Sequence, residues 1–187
     1  LVAWLAETLP PETIVTNGAG NYAGWVHRFY RFHKFRSQLA PTSGSMGYGL
    51  PAAVAAKAVH PERPVVCFAG DGCFMMHGQE LATAVQYGLN IIVLVVNNGT
   101  LGTIRMHQEN HYPGRVSATD LANPDFAALA RAYGAFGEVV EDGADFAEVF
   151  ARAQASGKPA LIELRLDPEV ITPTATLSGL RAKALAK

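Results

Sequence analysis

Residues 65–100 read V-V-C-F-A-G-D-G-C-F-M-M-H-G-Q-E-L-A-T-A-V-Q-Y-G-L-N-I-I-V-L-V-V-N-N-G-T. Val65–Ala69 and Ile91–Val96 are short apolar runs rich in β-branched residues, which predicts strands buried on both faces of a parallel sheet. Between them, four small or apolar residues recur at the spacing of one helix face, namely Leu81, Ala84, Val85 and Gly88. A strand, a crossover helix and a second strand form a βαβ unit, in which the two strands run parallel.

Oxygen-bearing residues follow both strands. If the strands are neighbours, Asp71 and Asn98 emerge side by side at the carboxyl edge, where open α/β sheets bind ligands. Asp71 lies between Gly70 and Gly72, so little side-chain bulk keeps a ligand away from its carboxylate. Asn98 offers a side-chain carbonyl, and Thr100 can turn its backbone carbonyl inward. One carboxylate and two neutral oxygens suit Mg²⁺, so we expect Asp71, Asn98 and Thr100 to be metal ligands.

A diphosphate group would complete this cation site. Mg²⁺ usually shares its coordination shell with water and substrate phosphate. The backbone N–H groups around Gly72 and Cys73 lead into a helix, which predicts an anion site beside the metal. D-G or N-G alone is an ordinary turn signal, but both together, closing adjacent strands of one βαβ unit, favour a binding site.

The motifs in this stretch carry a family resemblance. G-D-G at 70–72, then 24 residues, then N-N at 97–98 resembles the signature of thiamine-diphosphate-dependent enzymes. The run G-D-G-C-F-M-M-H-G-Q-E-L is similar to the acetolactate synthase and pyruvate decarboxylase branch. The likeness extends through S-G-S-M-G-Y-G-L-P-A-A upstream and N-P-D-F-A-A-L-A-R-A-Y-G downstream. It implies the diphosphate-binding domain, usually the carboxy-terminal third of a longer polypeptide, with thiamine diphosphate and Mg²⁺ as cofactors.

The resemblance also implies individual contacts. The residues expected to touch the cofactor are Gly20, Asn21, Gly44, Ser45, Met46, Gly70, Asp71, Gly72, Cys73, Asn98, Thr100, Leu101 and Gly102. In the family, an apolar side chain matching Met46 holds the cofactor in a bent shape, and a carbonyl matching Gly44 receives the pyrimidine amino group. The family's activating glutamate lies in a different domain, and no residue here matches it. We therefore expect no catalytic residue in this chain, and no turnover by the chain alone.

Composition narrows the class of protein. With 187 residues and 49% apolar content, the chain can bury one full core. A net charge of −1 gives no general attraction to nucleic acid or anionic membrane. Because no apolar run reaches spanning length and no leader is visible, we expect a soluble, cytoplasmic protein. The chain opens without methionine in what looks like a helix, so we interpret it as a fragment lacking N-terminal pyrimidine-binding and central domains.

Further strands complete the fold prediction. Thr13–Thr16, Glu138–Val140 and Ala160–Leu166 have strand patterns. Alternating with helices, they predict a three-layer α/β/α domain over residues 1–167, with a mostly parallel central sheet of about six strands. Residues 168–187 lose this pattern, and the sequence leaves open whether that tail is disordered or folds over the site.

The first strand opens a rival interpretation. Gly18, Gly20 and Ala23 satisfy the G-x-G-x-x-[G/A] pattern of nucleotide-binding oxidoreductases. Such a fold also needs an acidic residue about twenty positions on, and none occurs between Glu12 and Glu62. The oxidoreductase remains the alternative hypothesis, and a non-catalytic scaffold with the same fold is a third.

Three other segments give weaker signals. Residues 27–36 interleave basic and aromatic side chains, which favours an interface or a substrate-facing edge over nucleic-acid binding. Met75 and Met76 are interpreted as core. A polar group beyond the metal loop is expected to face a bound 2-oxo acid or, alternatively, solvent; it comprises Arg105, His107, Gln108 and His111.

Together these features predict the cofactor domain of an enzyme that decarboxylates 2-oxo acids and can ligate the product to a second carbonyl compound. The expected partners are the 2-oxo acid, the missing N-terminal domains and further copies of the chain in a homodimer or homotetramer.

Overall fold

A six-stranded parallel sheet forms the centre of the computed structural model, which describes residues 1–186. Its strand order is β2-β1-β3-β4-β6-β5, and every neighbouring pair is parallel. The strands are β1 (Ile14–Asn17), β2 (Gln38–Leu39), β3 (Val65–Gly70), β4 (Ile92–Asn97), β5 (Phe136–Val140) and β6 (Ala160–Arg165). The predicted α/β class and six-stranded sheet are confirmed.

Helices cover both faces of the sheet. They are α1 (Val2–Thr8), α2 (Ala23–Phe29), α3 (Gly49–Val59), α4 (Asp71–His77), α5 (Glu80–Gln86), α6 (Gly102–His111), α7 (Phe126–Ala132), α8 (Phe146–Ala155) and α9 (Leu177–Leu185). The crossover between β3 and β4 contains two helices, α4 and α5. Among the residues described, no helix combines the length and apolar character that crossing a membrane requires.

The side chains of the strands alternate between the two faces of the sheet and contribute to a hydrophobic core on each face. Successive strand residues point to opposite faces, so Cys67 packs with Leu81 and Phe126 on one side, and Phe68 packs with Leu5 on the other. Helices α3, α5 and α7 cover the first face, and α1, α2 and α8 cover the second. Burial on both faces explains why the strands read as continuous apolar runs.

The tail, for which the sequence left both disorder and folding over the site possible, is folded through residue 186. Lys187 lies outside the described residues. It forms an antiparallel hairpin of β7 (Val170–Thr172) and β8 (Ala175–Thr176), followed by α9. Arg181 on α9 donates to both carboxylate oxygens of Glu109 on α6, at 3.0 and 2.6 Å. This contact fastens the tail to the helix that follows the predicted metal loop.

The interpretation of Met75 and Met76 as core is wrong. Their side chains are 52% and 49% exposed. The buried face of α4 is formed by Asp71, Cys73 and Phe74, so the two methionines project away from the sheet.

We expect Phe126→Ala to destabilise the chain strongly. Phe126 is fully buried and meets Phe74 edge to face, with ring centroids 5.5 Å apart. The cavity left by truncation should lower the free energy of unfolding by about 3–5 kcal/mol, measured by urea denaturation. Phe35→Ala is the matched control, because Phe35 is 85% exposed. Equal destabilisation by the two variants would contradict the assignment of the core.

Candidate functional site

The register of β3 and β4 creates the site. The two strands are parallel neighbours, with Gly70 opposite Val96. Asp71 and Asn98 therefore follow adjacent strand ends at one edge of the sheet, as the sequence predicts. The two loops touch directly, because the amide of Gly99 donates to Asp71 Oδ2 at 2.9 Å.

Asp71 is a buried carboxylate held by donors from three segments. Its Oδ1 accepts from the amide of Gly72 at 2.8 Å. Its Oδ2 accepts from the amide of Gly99 and from Asn123 Nδ2, both at 2.9 Å. Burial raises the pKa of Asp71 above its ordinary value, and these hydrogen bonds oppose the rise. The Gly72 amide, offered to a diphosphate in the sequence interpretation, is thus bonded to Asp71.

The other two predicted metal ligands lie in the loop after β4. Asn98 Oδ1 accepts from the amide of Thr100 at 3.2 Å. The carbonyl of Thr100 accepts from the amide of Gly102 at 2.8 Å, and the Thr100 hydroxyl donates to the carbonyl of Thr119 at 2.9 Å. Gly99 has φ +67°, a left-handed conformation that favours glycine and forms the turn. Each carbonyl oxygen has two lone pairs, so both keep capacity for a further contact.

A cavity of about 460 Å³ opens at this edge. Its lining includes all the predicted contact residues except two, namely Gly20, Asn21, Met46, Gly70, Asp71, Gly72, Cys73, Asn98, Thr100, Leu101 and Gly102. Gly44 and Ser45 are exposed and lie outside the lining. Contacts from these two residues remain predictions.

Glycines form the floor of the cavity. A Cβ on Gly72 would lie 2.8 Å from Leu101, and one on Gly70 would lie 2.9 Å from the ring of Tyr22. Side chains at either position would clash with these neighbours, because Leu101 and Tyr22 pack directly against the two glycines. Tyr22 was missed in the sequence although it adjoins Asn21. Its hydroxyl is buried without a hydrogen-bond partner among the described residues, and burial raises its pKa.

Asn21 joins the first turn to α6. Its amide donates to the hydroxyl of Thr103 at 3.1 Å, and that hydroxyl donates back to Asn21 Oδ1 at 3.0 Å. The side-chain nitrogen lies 3.4 Å from the sulfur of Met106. The first turn and α6 are thereby held together at the rim of the cavity.

The polar residues of α6 do not face the cavity. None of Arg105, His107, Gln108 and His111 is among the lining residues. Arg105 is buried in an ion pair with Glu109, and Gln108 bonds to the backbone of Ser117. Of the two alternatives, the structure favours solvent for His107 and His111, which are exposed. The cavity lining there is formed by Ile104 and by Ile171 of the tail.

Sequence reasoning missed three polar residues behind Asp71. Asn123 Nδ2 donates to Asn97 Oδ1 at 2.9 Å as well as to Asp71, and Asn97 Nδ2 donates to Glu163 Oε1 at 2.9 Å. Glu163 is 1% exposed. A signal was present in the sequence, because a lone acidic residue inside the apolar run A-L-I-E-L must find partners once buried.

A family comparison agrees with this geometry. Residues 18–164 match the family model described as "Thiamine pyrophosphate enzyme, C-terminal TPP binding domain". The chain belongs to this family. The resemblance noted in the sequence is confirmed, and thiamine diphosphate is the cofactor that the family assignment implies.

Curated relatives of this TPP-binding domain are named acetolactate synthases. The large subunit from Parasynechococcus marenigrum (strain WH8102) is 38% identical over 160 residues, covering 84% of this chain and 26% of the relative. The enzyme from Mycobacterium leprae (strain TN) is 39% identical over 166 residues, covering 85% of this chain and 27% of the relative. The chain thus spans about a quarter of these relatives.

Solved structures give the same fold. The thiamine diphosphate-dependent 4-hydroxybenzoylformate decarboxylase of Rhodococcus jostii RHA1 matches with a TM-score of 0.82 and 31% identity, over 89% of this chain and 32% of that protein. Benzoylformate decarboxylase from Polynucleobacter necessarius matches with a TM-score of 0.81 and 26% identity, over 90% of this chain and 32% of that protein. These matches give no support to the oxidoreductase alternative.

Glu109 should make the stability of this domain depend on pH. Its hydrogen bonds from Arg181 hold its pKa at about 2, below the ordinary 4.5. Because the folded pKa is depressed, the stabilisation is present above pH 4.5 and is lost as pH falls towards 2. Urea unfolding at several pH values should show wild type more stable than Glu109→Gln near neutral pH, with the difference shrinking below pH 4.5.

Glu7→Gln serves as the control for this pH dependence, because Glu7 is exposed. That variant should track wild type throughout. A stability difference between wild type and Glu109→Gln that stays constant from pH 6 to pH 2 would contradict the assignment.

Proposed function

We propose that this chain binds thiamine diphosphate through Mg²⁺ held by Asp71, Asn98 and the carbonyl of Thr100. The observation that carries the proposal is the placement of Asp71 and Asn98 on adjoining strand ends at the mouth of one cavity. Open α/β sheets bind their ligands at this edge.

The chemistry of the donors fits a hard cation. One carboxylate and two neutral oxygens match the preference of Mg²⁺ for oxygen ligands. No group of three His, Cys, Asp or Glu side chains in residues 1–186 is arranged to hold a metal by itself. A site with a single carboxylate suits an ion that completes its shell with phosphate oxygens and water.

The shape of the cavity fits the organic cofactor. Gly70 and Gly72 line the cavity and carry no side chain of their own that would block a diphosphate. Met46 and Leu101 supply apolar surface, and we assign Met46 to the support of the bent cofactor. When bound, thiamine diphosphate supplies the carbon nucleophile and the electron sink for loss of carbon dioxide from a 2-oxo acid. The residues of this chain hold and orient it.

The activity of the whole protein is part of the proposal. We assign the domain to a longer enzyme that decarboxylates a 2-oxo acid and ligates the product to a second carbonyl compound. The names of the decarboxylase structures support the first step, and the relatives named acetolactate synthase support the second. Exposed Met75 and Met76 are suited to contact the remaining domains or a second subunit of a homodimer or homotetramer.

Asp71→Ala should abolish Mg²⁺-dependent binding of thiamine diphosphate. The variant removes the only charged side chain in the described cavity lining, so affinity should fall at least about 100-fold, roughly 3 kcal/mol. Trp25 lines the cavity and provides a fluorescence readout for titration with Mg²⁺ present or chelated.

Asp145→Ala is the matched control for that titration, because Asp145 is exposed at the start of α8. It should bind like wild type. Cofactor binding by Asp71→Ala at wild-type affinity would contradict the proposed site. Wild-type protein that binds no diphosphate, even when joined to its partner domains, would favour a non-catalytic scaffold.

The chain alone should bind the cofactor and turn nothing over. The activating glutamate expected from the family has no counterpart in this sequence. Release of carbon dioxide from a panel of 2-oxo acids, measured with Mg²⁺ and thiamine diphosphate present, should stay at the rate of the protein-free control. Protein-dependent decarboxylation would show that the chain carries its own proton-handling group.

A further inference from the structure

A line of hydrogen bonds runs behind the site, from β6 to the predicted cation ligand. It starts at Glu163 in β6, passes through Asn97 at the end of β4 and Asn123 before α7, and reaches Asp71 after β3. Each step is 2.9 Å long. The four residues lie far apart in the chain and meet on one face of the sheet.

Glu163 determines which group donates and which accepts in each hydrogen bond of this line. Its Oε1 accepts from Asn97 Nδ2 and from Arg165 Nε at 3.1 Å, and its Oε2 accepts from the amide of Phe126 at 3.2 Å. An ionised carboxylate can only accept hydrogen bonds. Asn97 must therefore present its nitrogen to Glu163, and its oxygen is turned towards the site.

The oxygen of Asn97 in turn fixes Asn123. Asn97 Oδ1 accepts from the amide of Gly99 at 3.1 Å and from Asn123 Nδ2 at 2.9 Å. Asn123 Nδ2 has two hydrogens, and its two acceptors are Asn97 Oδ1 and Asp71 Oδ2. The amide of Asn123 is thereby held in one orientation, with its nitrogen towards the carboxylate.

The two carboxylate oxygens of Asp71 therefore have different hydrogen-bond donors. Oδ2 receives both Asn123 and Gly99, whereas Oδ1 receives the amide of Gly72. A carboxylate oxygen has two lone-pair positions, so Oδ1 keeps one for a metal. We propose that Asn123, oriented by Asn97 and Glu163, is a positioning residue that fixes Asp71 with Oδ1 presented to a divalent cation. The inference rests on the proposed function of the same site.

The contacts of Asn123 separate this role from helix capping. The N-cap of α7 is Asp125, whose side chain accepts from the amide of Ala128 at 2.7 Å. The segment before Asn123 is attached independently, by the amide of Leu121 donating to the carbonyl of Gly99 at 2.9 Å. Loss of the Asn123 amide should therefore leave the fold in place while loosening Asp71.

The first test measures Mn²⁺ binding, with thiamine diphosphate present, to the full chain. Asn123→Ala should weaken Mn²⁺ binding about 10–100-fold, the range found when partners of metal ligands are removed. Without metal the variant should still unfold cooperatively in urea, although loss of one donor to a buried carboxylate should lower the midpoint of that unfolding. Asn90→Ala is the matched control, because Asn90 is exposed at the opposite end of β4, and should bind like wild type.

The second test exchanges donor and acceptor between Asn97 and Glu163. Asn97→Asp alone places two carboxylates against each other and should weaken Mn²⁺ binding at least about tenfold. Adding Glu163→Gln restores one donor facing one acceptor, so the double variant should recover most of the lost affinity. Recovery would show that the hydrogen bond between positions 97 and 163, and not the identity of either side chain, supports the metal affinity.

The outcomes separate this inference from the proposed function. Asn123→Ala that binds Mn²⁺ within twofold of wild type would overturn the inference alone. So would a double variant that binds no better than Asn97→Asp, and this comparison decides the matter if Asn123→Ala does not fold. Wild-type chain that binds neither Mn²⁺ nor thiamine diphosphate would overturn the proposed function and this inference with it.

Discussion

The burial of one carboxylate constrains the whole edge of the sheet. Asp71 is 4% exposed, and a buried carboxylate without donors would be strongly destabilising. Its donors come from the start of α4, the turn after β4 and the segment before α7. These three segments must therefore hold fixed positions relative to one another. The parallel register of β3 and β4 sets the first two, and the chain returning to α7 supplies the third.

The central part of the site could be predicted because it depends on local order along the chain. Asp71 and Asn98 each follow a strong apolar run, and parallel strand ends meet at one edge. No long-range information is needed beyond the pairing of those two strands. The same local signals gave five of the six strands. The sixth, β2, has only Gln38 and Leu39 and therefore carries no apolar pattern to read.

The supporting residues depend on contacts that no local pattern encodes. Asn123 belongs to the segment N-P-D, which is typical of the start of a helix, and it lies before α7. Glu163 lies inside β6. Glu163 meets Asn97 because β6 lies next to β4 in the sheet, and Asn123 reaches Asp71 directly from the segment before α7. The hairpin of the tail could not be predicted for the same reason. Its sequence contains Thr and Pro residues without a strand pattern, and the tail is held by hydrogen bonds from Arg181 to Glu109, 72 residues away.

The two sides of the cavity have different physical roles. Behind Asp71 the groups are polar, and hydrogen bonds link Glu163, which is buried, through Asn97 to Asn123. In front, Met46, Leu101 and Ile171 supply apolar surface, and Asp71 is the only charged side chain in the described lining. Attraction between a cation and a phosphate is stronger beside apolar surface than in water. Such a site is suited to bind and orient a charged cofactor.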